Sequence, residues 1–129
     1  MHPTLPERTL HCLLLADPGA KITALNTLHA DWKQGVVPLP DTIELAQTID
    51  APGRPEKPPL VPPQNVPRRS VGTPEGHAAI LHALTHIEFN AINLAMDAAY
   101  RFRGLPHDYY TDWLQVAFEE ACHFRLLRE

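Results

Sequence analysis

Apolar residues in the first third of the chain return at helical intervals. Ile22, Leu25, Leu28 and Trp32 stand three or four positions apart, the spacing of one buried helix face. Asp17 is placed as an N-cap, Pro18 as the first helical residue and Gly35 as a stop, so the spacing predicts a helix between Pro18 and Gly35. "DTIE" (41–44) has the form of a capping box, with Asp41 in the cap and Glu44 three residues on. It predicts a short helix to about Ile49.

The pattern is strongest from Thr73 onward. Thr73 offers an N-cap, Pro74 a first helical residue and Glu75 an acid where the helix dipole favours one. Helical spacing then runs unbroken to "RGLPHD", where Gly104 is a stop and Pro106 opens the next helix. The first of these helices spans about 43 Å at 1.5 Å per residue. The second runs through "DYYTDWLQVAFEEACHFRLLRE" to Glu129, with no closing glycine or proline. Two long helices joined by a short turn pack antiparallel as a hairpin.

Between the two helical regions, residues 50–70 hold seven prolines. Proline fixes φ and removes a backbone donor, so this stretch is expected to be extended. It is either a semi-rigid linker or an ordered arm that presses Leu60, Val61 and Val66 onto the bundle. The expected organisation is all-α: an N-terminal helical segment (1–49), a proline-rich arm (50–72) and a helix hairpin (73–129).

Composition removes several function classes. The net charge of −4 gives no basic field for nucleic acid, and the pairs Arg68/Arg69 and Arg101/Arg103 read as solvated surface. Cys12 and Cys122 are far apart and form no C-x-x-C, which disfavours a disulfide scaffold or a cysteine-based zinc site. No run approaches the roughly 20 apolar residues of a membrane helix, and no secretory signal is evident, so a cytoplasmic protein is expected. The one serine, Ser70, lies outside any G-x-S-x-G, and the six glycines build neither G-x-G-x-x-G nor a P-loop.

What remains is a set of acids and histidines on the hairpin. Glu88 lies 16 residues before Gly104 and Glu120 lies 16 after it, so the two carboxylates are expected at one level. His123 follows Glu120 by three residues, on the same face. Leu81, Leu84, Ala91, Ile92 and Ala95 surround Glu88 on the helical wheel, so it is expected to point inward. A buried carboxylate is costly to keep charged unless a cation, a basic side chain or a metal meets it. A Glu level with a Glu-x-x-His on the next helix is half of the carboxylate di-metal site found in some helix bundles. Such a donor set suits iron or manganese. The alternatives are a plain Glu119–His123 ion pair at the surface, with Glu119 facing water, and a metal-free cluster. His82 and His86 are four apart and read as surface or supporting residues, or as a metal pair. Trp113, Phe118, Phe124 and Leu127 read as core, Tyr109 and Tyr110 as core or radical-adjacent, and Cys122 as an inert buried thiol.

"HALTHIEFNAINLAMDAAYRF" followed by "LPHDYYTDWLQVAFEEACHFRLL" resembles an uncharacterised ferritin-like family of bacterial proteins, catalogued as a domain of unknown function. "PGRP", "LVPP" and "VPRRS" resemble that family's proline-rich approach, and the likeness covers roughly residues 8–129. It implies a ferritin-like helical bundle whose first antiparallel pair is 74–103 and 106–129, with a half-site at Glu88, Glu120 and His123 for di-iron or iron–manganese. In that family two further long helices carry another Glu and a second Glu-x-x-His. The resemblance therefore implies a fragment, with the metal site incomplete in this chain alone, or a homodimer that pairs two hairpins. The function it implies is an oxygen-dependent oxidoreductase of hydroxylase or monooxygenase type. Iron binding or storage without turnover is a second reading. A metal-free interaction module, with Glu88 and Glu120 met by His86 or arginines, is a third. A modified transfer RNA substrate enters only by fold analogy.

Overall fold

The computed structural model describes residues 2–42, 46, 49, 52–53 and 73–128, and among these it contains four helices and no strand. Helix α1 spans Leu5–Leu14, α2 Pro18–Lys33, α3 Pro74–Arg101 and α4 His107–Arg128. None of the described helices is long and apolar enough to cross a membrane.

The ends follow local hydrogen-bond chemistry. Asp17 Oδ2 accepts from Ala20 N at 2.8 Å to open α2, and Gly35 takes a left-handed φ of +75° just after it ends. Thr73 Oγ1 accepts from Gly76 N at 2.9 Å to open α3. Thr73→Ala should lower stability by about 1 kcal/mol, read as a small drop in the urea midpoint with the α3–α4 core unchanged. Helix α3 closes at Arg101, two residues short of the expected 103, because Phe102 is extended (φ −99°, ψ 129°). Gly104, with φ +72°, then turns the chain. Both hairpin tyrosines fix this corner. Tyr110 Oη donates to Phe102 O at 2.9 Å and accepts from Leu105 N at 3.3 Å, while Tyr109 Oη donates to Ala98 O at 2.9 Å. That settles Tyr110 as core and corner residue, and Tyr109 as half-buried beside it.

The expected helix from Asp41 to Ile49 is not formed at Asp41, Thr42, Ala46 or Ile49, all of which are non-helical. Ala46 and Ile49 pack against the core as non-helical chain, so the expected helix is not continuous to Ile49. The rest of that segment, and the proline-rich arm apart from Pro52 and Gly53, lie outside the described residues.

Helices α3 and α4 form the antiparallel hairpin, with Ala95, Ala99, Ala117 and Ala121 all buried. Small side chains let the two backbones approach, and Ile92, Met96, Leu114 and Phe124 fill the remaining space. Helices α1 and α2 cover the part of this hairpin nearer its turn. Trp32 Nε1 donates to Thr111 Oγ1 at 2.9 Å, and the Trp32 ring stacks on His107 at 4.4 Å. One turn earlier on α2, His29 stacks on Phe118 at 4.1 Å and shares a 2.9 Å hydrogen bond with Gln115.

A buried cation joins α1, α2 and α3. Lys21 is wholly shielded from solvent, and its Nζ donates to Leu13 O at 3.0 Å, to Gly53 O at 2.8 Å and to Asn93 Oδ1. The ammonium also stands 5.2 Å from the centre of the Phe89 ring. Gly53 is held from two further directions, by Gly53 N donating to Leu13 O at 2.6 Å and Asn93 Nδ2 donating to Gly53 O at 3.3 Å. Glycine is required there because a Cβ would meet backbone atoms of Leu14 and Leu15, among them Leu14 O at 2.5 Å.

The first half of α3 is different. Ile80, Leu81, Leu84 and Ile87 are 37–59% exposed. Leu81 and Leu84, grouped with Glu88 on the helical wheel, are thus exposed, and only Ile92 and Ala95 of that set are fully buried.

Candidate metal centre

Glu88 sits where the covered part of α3 meets the uncovered part. Beside it, Phe89 packs on Phe124 with ring centroids 5.5 Å apart, and this contact sets the height of α4 against α3. Glu120 and His123 then fall opposite Glu88. The side chains of Glu88 and Glu120 are 21% and 25% exposed, and that of His123 is 57% exposed on the outer side. His123 Nδ1 lies 3.7 Å from Glu88 Oε2 and 3.6 Å from Glu120 Oε2. One ligand atom from each of the three residues lies within 4.8 Å of the others, an arrangement able to hold a metal ion.

Glu88 Oε2 is shielded from solvent and accepts no hydrogen bond among the described residues. Both distances to the imidazole exceed hydrogen-bond length. A carboxylate oxygen buried without a donor needs a positive centre beside it. The donor set of two carboxylates and one imidazole fits a hard or borderline divalent ion such as iron or manganese.

The other residues singled out from the sequence are elsewhere. Glu119 is exposed and accepts from Gln115 Nε2 at 3.1 Å, so it makes no contribution to the cluster. His86 does not meet Glu88; it stands beside His82, with ring centroids 4.7 Å apart. Burial, and then the neighbouring His82, hold the His86 imidazole below its usual pKa. Cys122 is half-buried and not fully enclosed. Cys12 is the inert thiol, because burial pushes its pKa up to about 11, with Lys21 working weakly in the other direction. Arg101 is taken up by Asp97 through two hydrogen bonds of 3.0 and 3.1 Å, and Arg103 Nε donates to Tyr100 O at 2.9 Å.

Sequence reasoning missed Lys21 and Asn93. A signal was present: Lys21 lies four, seven and eleven residues before Leu25, Leu28 and Trp32, on the same inward stripe. Beside this joint, a cavity of about 440 Å³ is lined by Leu13, Ile49, Pro52, Asn90, Asn93 and Asp97 among others. Neither Glu88, Glu120 nor His123 lines it.

Residues 14–129 match the family described as "Protein of unknown function (DUF455)", and the chain belongs to that family. An uncharacterized protein of Haemophilus influenzae is 43% identical over 128 residues, covering 91% of this chain and 44% of the relative. The chain thus spans less than half the length of that relative. No solved structure matches it.

Proposed function

We propose that the chain carries one half of a ferritin-like carboxylate metal centre, and that the centre serves an oxygen-dependent oxidoreductase of the non-haem iron class. The observation that carries this reading is the buried, donor-free Glu88 Oε2 facing Glu120 and His123. Glu88 and Glu120 would hold iron or manganese through carboxylate oxygens, with His123 as the single nitrogen donor. Bound iron would supply redox chemistry with dioxygen that side chains lack.

The protein's own residues define the rest. Glu88 Oε2 is shielded from solvent, which strengthens its attraction for a cation. His123 closes the cluster on the exposed side. Three protein donors leave several positions of a six-coordinate ion to other groups. A second copy of the hairpin, related by a two-fold axis, would bring a second Glu88, Glu120 and His123 to the same place.

A second reading rests on the imidazole lying nearly midway between the carboxylates: a metal-free polar cluster in which His123 faces both acids. Metal content by plasma mass spectrometry, with oligomeric state measured on the same sample, separates the two. The metal reading expects iron or manganese in the purified protein, lost in Glu88→Gln and in Glu120→Gln. Equal metal content in wild type and both variants would sink it. The shared-histidine reading expects no bound metal at the outset, and a stability that falls when His123 is replaced by Ala.

A further inference from the structure

Helix α3 carries a second group of metal-capable side chains on a different flank. At 100° per residue, His82 and His86 lie about 120° and 160° round the helix from Glu88. They are four residues apart, so they occupy adjacent turns of one face. His82 is exposed, His86 is half-buried, and their rings meet edge-on at 4.7 Å between centroids.

What sets these two apart is that each imidazole meets a second imidazole, with neither held by a carboxylate or an amide. His29 is bonded to Gln115, His107 lies 3.4 Å from Thr111 Oγ1, and His123 stands between two carboxylates. Neither His82 nor His86 has a hydrogen bond or ion pair among the described residues; each faces chiefly the other. The preceding turn on this flank holds Ala78 and Ala79, small side chains that leave the approach open. Metal–nitrogen bonds of about 2.0–2.1 Å require two ligating nitrogens within about 4 Å of one another. Rings on adjacent turns, already 4.7 Å apart at their centres, reach that by side-chain rotation alone.

We propose that His82 and His86 form a two-imidazole site for a borderline divalent ion, zinc, copper or nickel, separate from the carboxylate cluster. The donor chemistry separates the two sites: an all-nitrogen pair selects borderline ions, whereas the oxygen-rich cluster on the other flank selects iron or manganese. Water fills the outer positions of an ion held by the pair, as its exposure requires.

Zinc titration by calorimetry tests this on the full chain carrying His123→Ala, which disables the carboxylate cluster. One zinc-binding event should persist, and His82→Ala should weaken it by at least about tenfold. His82 is exposed, so its removal leaves the fold intact, which circular dichroism checks. Nickel should also broaden the imidazole proton resonances of His82 and His86 ahead of those of the other histidines. The proposal is overturned if the His123→Ala protein binds no zinc, if His82→Ala binds it equally well, or if nickel first broadens a different histidine.

Discussion

Lys21→Met should lower the free energy of unfolding by about 2 kcal/mol, seen as a clear fall in the urea midpoint at an unchanged denaturant slope. Methionine keeps the length of the side chain and removes its donors. Asn93 Oδ1 loses its buried donor, and a buried acceptor left without one costs about 1–3 kcal/mol. Gly53 O keeps Asn93 Nδ2 at 3.3 Å and Leu13 O keeps Gly53 N at 2.6 Å, so each of these adds less. The offset is that an ammonium no longer has to be taken out of water, which is why the expected loss falls below the sum of the three. An unchanged midpoint would show that ammonium desolvation cancels the hydrogen bonds, and that the joint contributes nothing net to stability.

Gly53→Ala acts on the same joint by sterics. The new methyl group would be driven into the backbone of Leu14 and Leu15, and main-chain atoms cannot rotate away as a side chain can. Forcing volume into such a contact costs about 1–3 kcal/mol, and here the upper end is expected because the Gly53 N–Leu13 O bond of 2.6 Å must lengthen as well. The two substitutions should not add. Once Gly53 has shifted, Lys21 has already lost one acceptor, so the double variant should fall short of the sum by more than about 0.5 kcal/mol. Strict additivity in a double-mutant cycle would mean that Lys21 and Gly53 are energetically independent despite their 2.8 Å contact.

Much of this architecture was legible because its signals are local. Asp17 and Thr73 announce α2 and α3 through a hydrogen bond to a residue three positions on. The meeting of Glu88, Glu120 and His123 was legible because the hairpin is symmetric about Gly104, so equal distances from one glycine give equal heights. What stayed hidden depends on what lies across space. The helical wheel grouped Leu81 and Leu84 with Glu88, but a wheel states only which residues share a face, and no described element covers them. Lys21 falls on an apolar stripe, yet its acceptors at Gly53 and Asn93 are 32 and 72 residues away. The cap signal at Asp41 is local too, yet Asp41, Thr42, Ala46 and Ile49 are non-helical, and Ala46 and Ile49 lie against the core.

The uneven cover of α3 makes it one helix in shape but two in cooperativity. Its second half, from Phe89 onward, carries the buried residues and is expected to unfold only with the core, whereas the exposed turns from Pro74 to Ile87 are expected to open first. Amide hydrogen exchange should therefore slow progressively along α3, with the change falling close to Glu88. Anything that grips Glu88, whether an ion or a neighbouring helix, draws the preceding turns into the slow-exchanging unit. The stiffness of α3 thus becomes a direct reporter of whether its carboxylate is engaged.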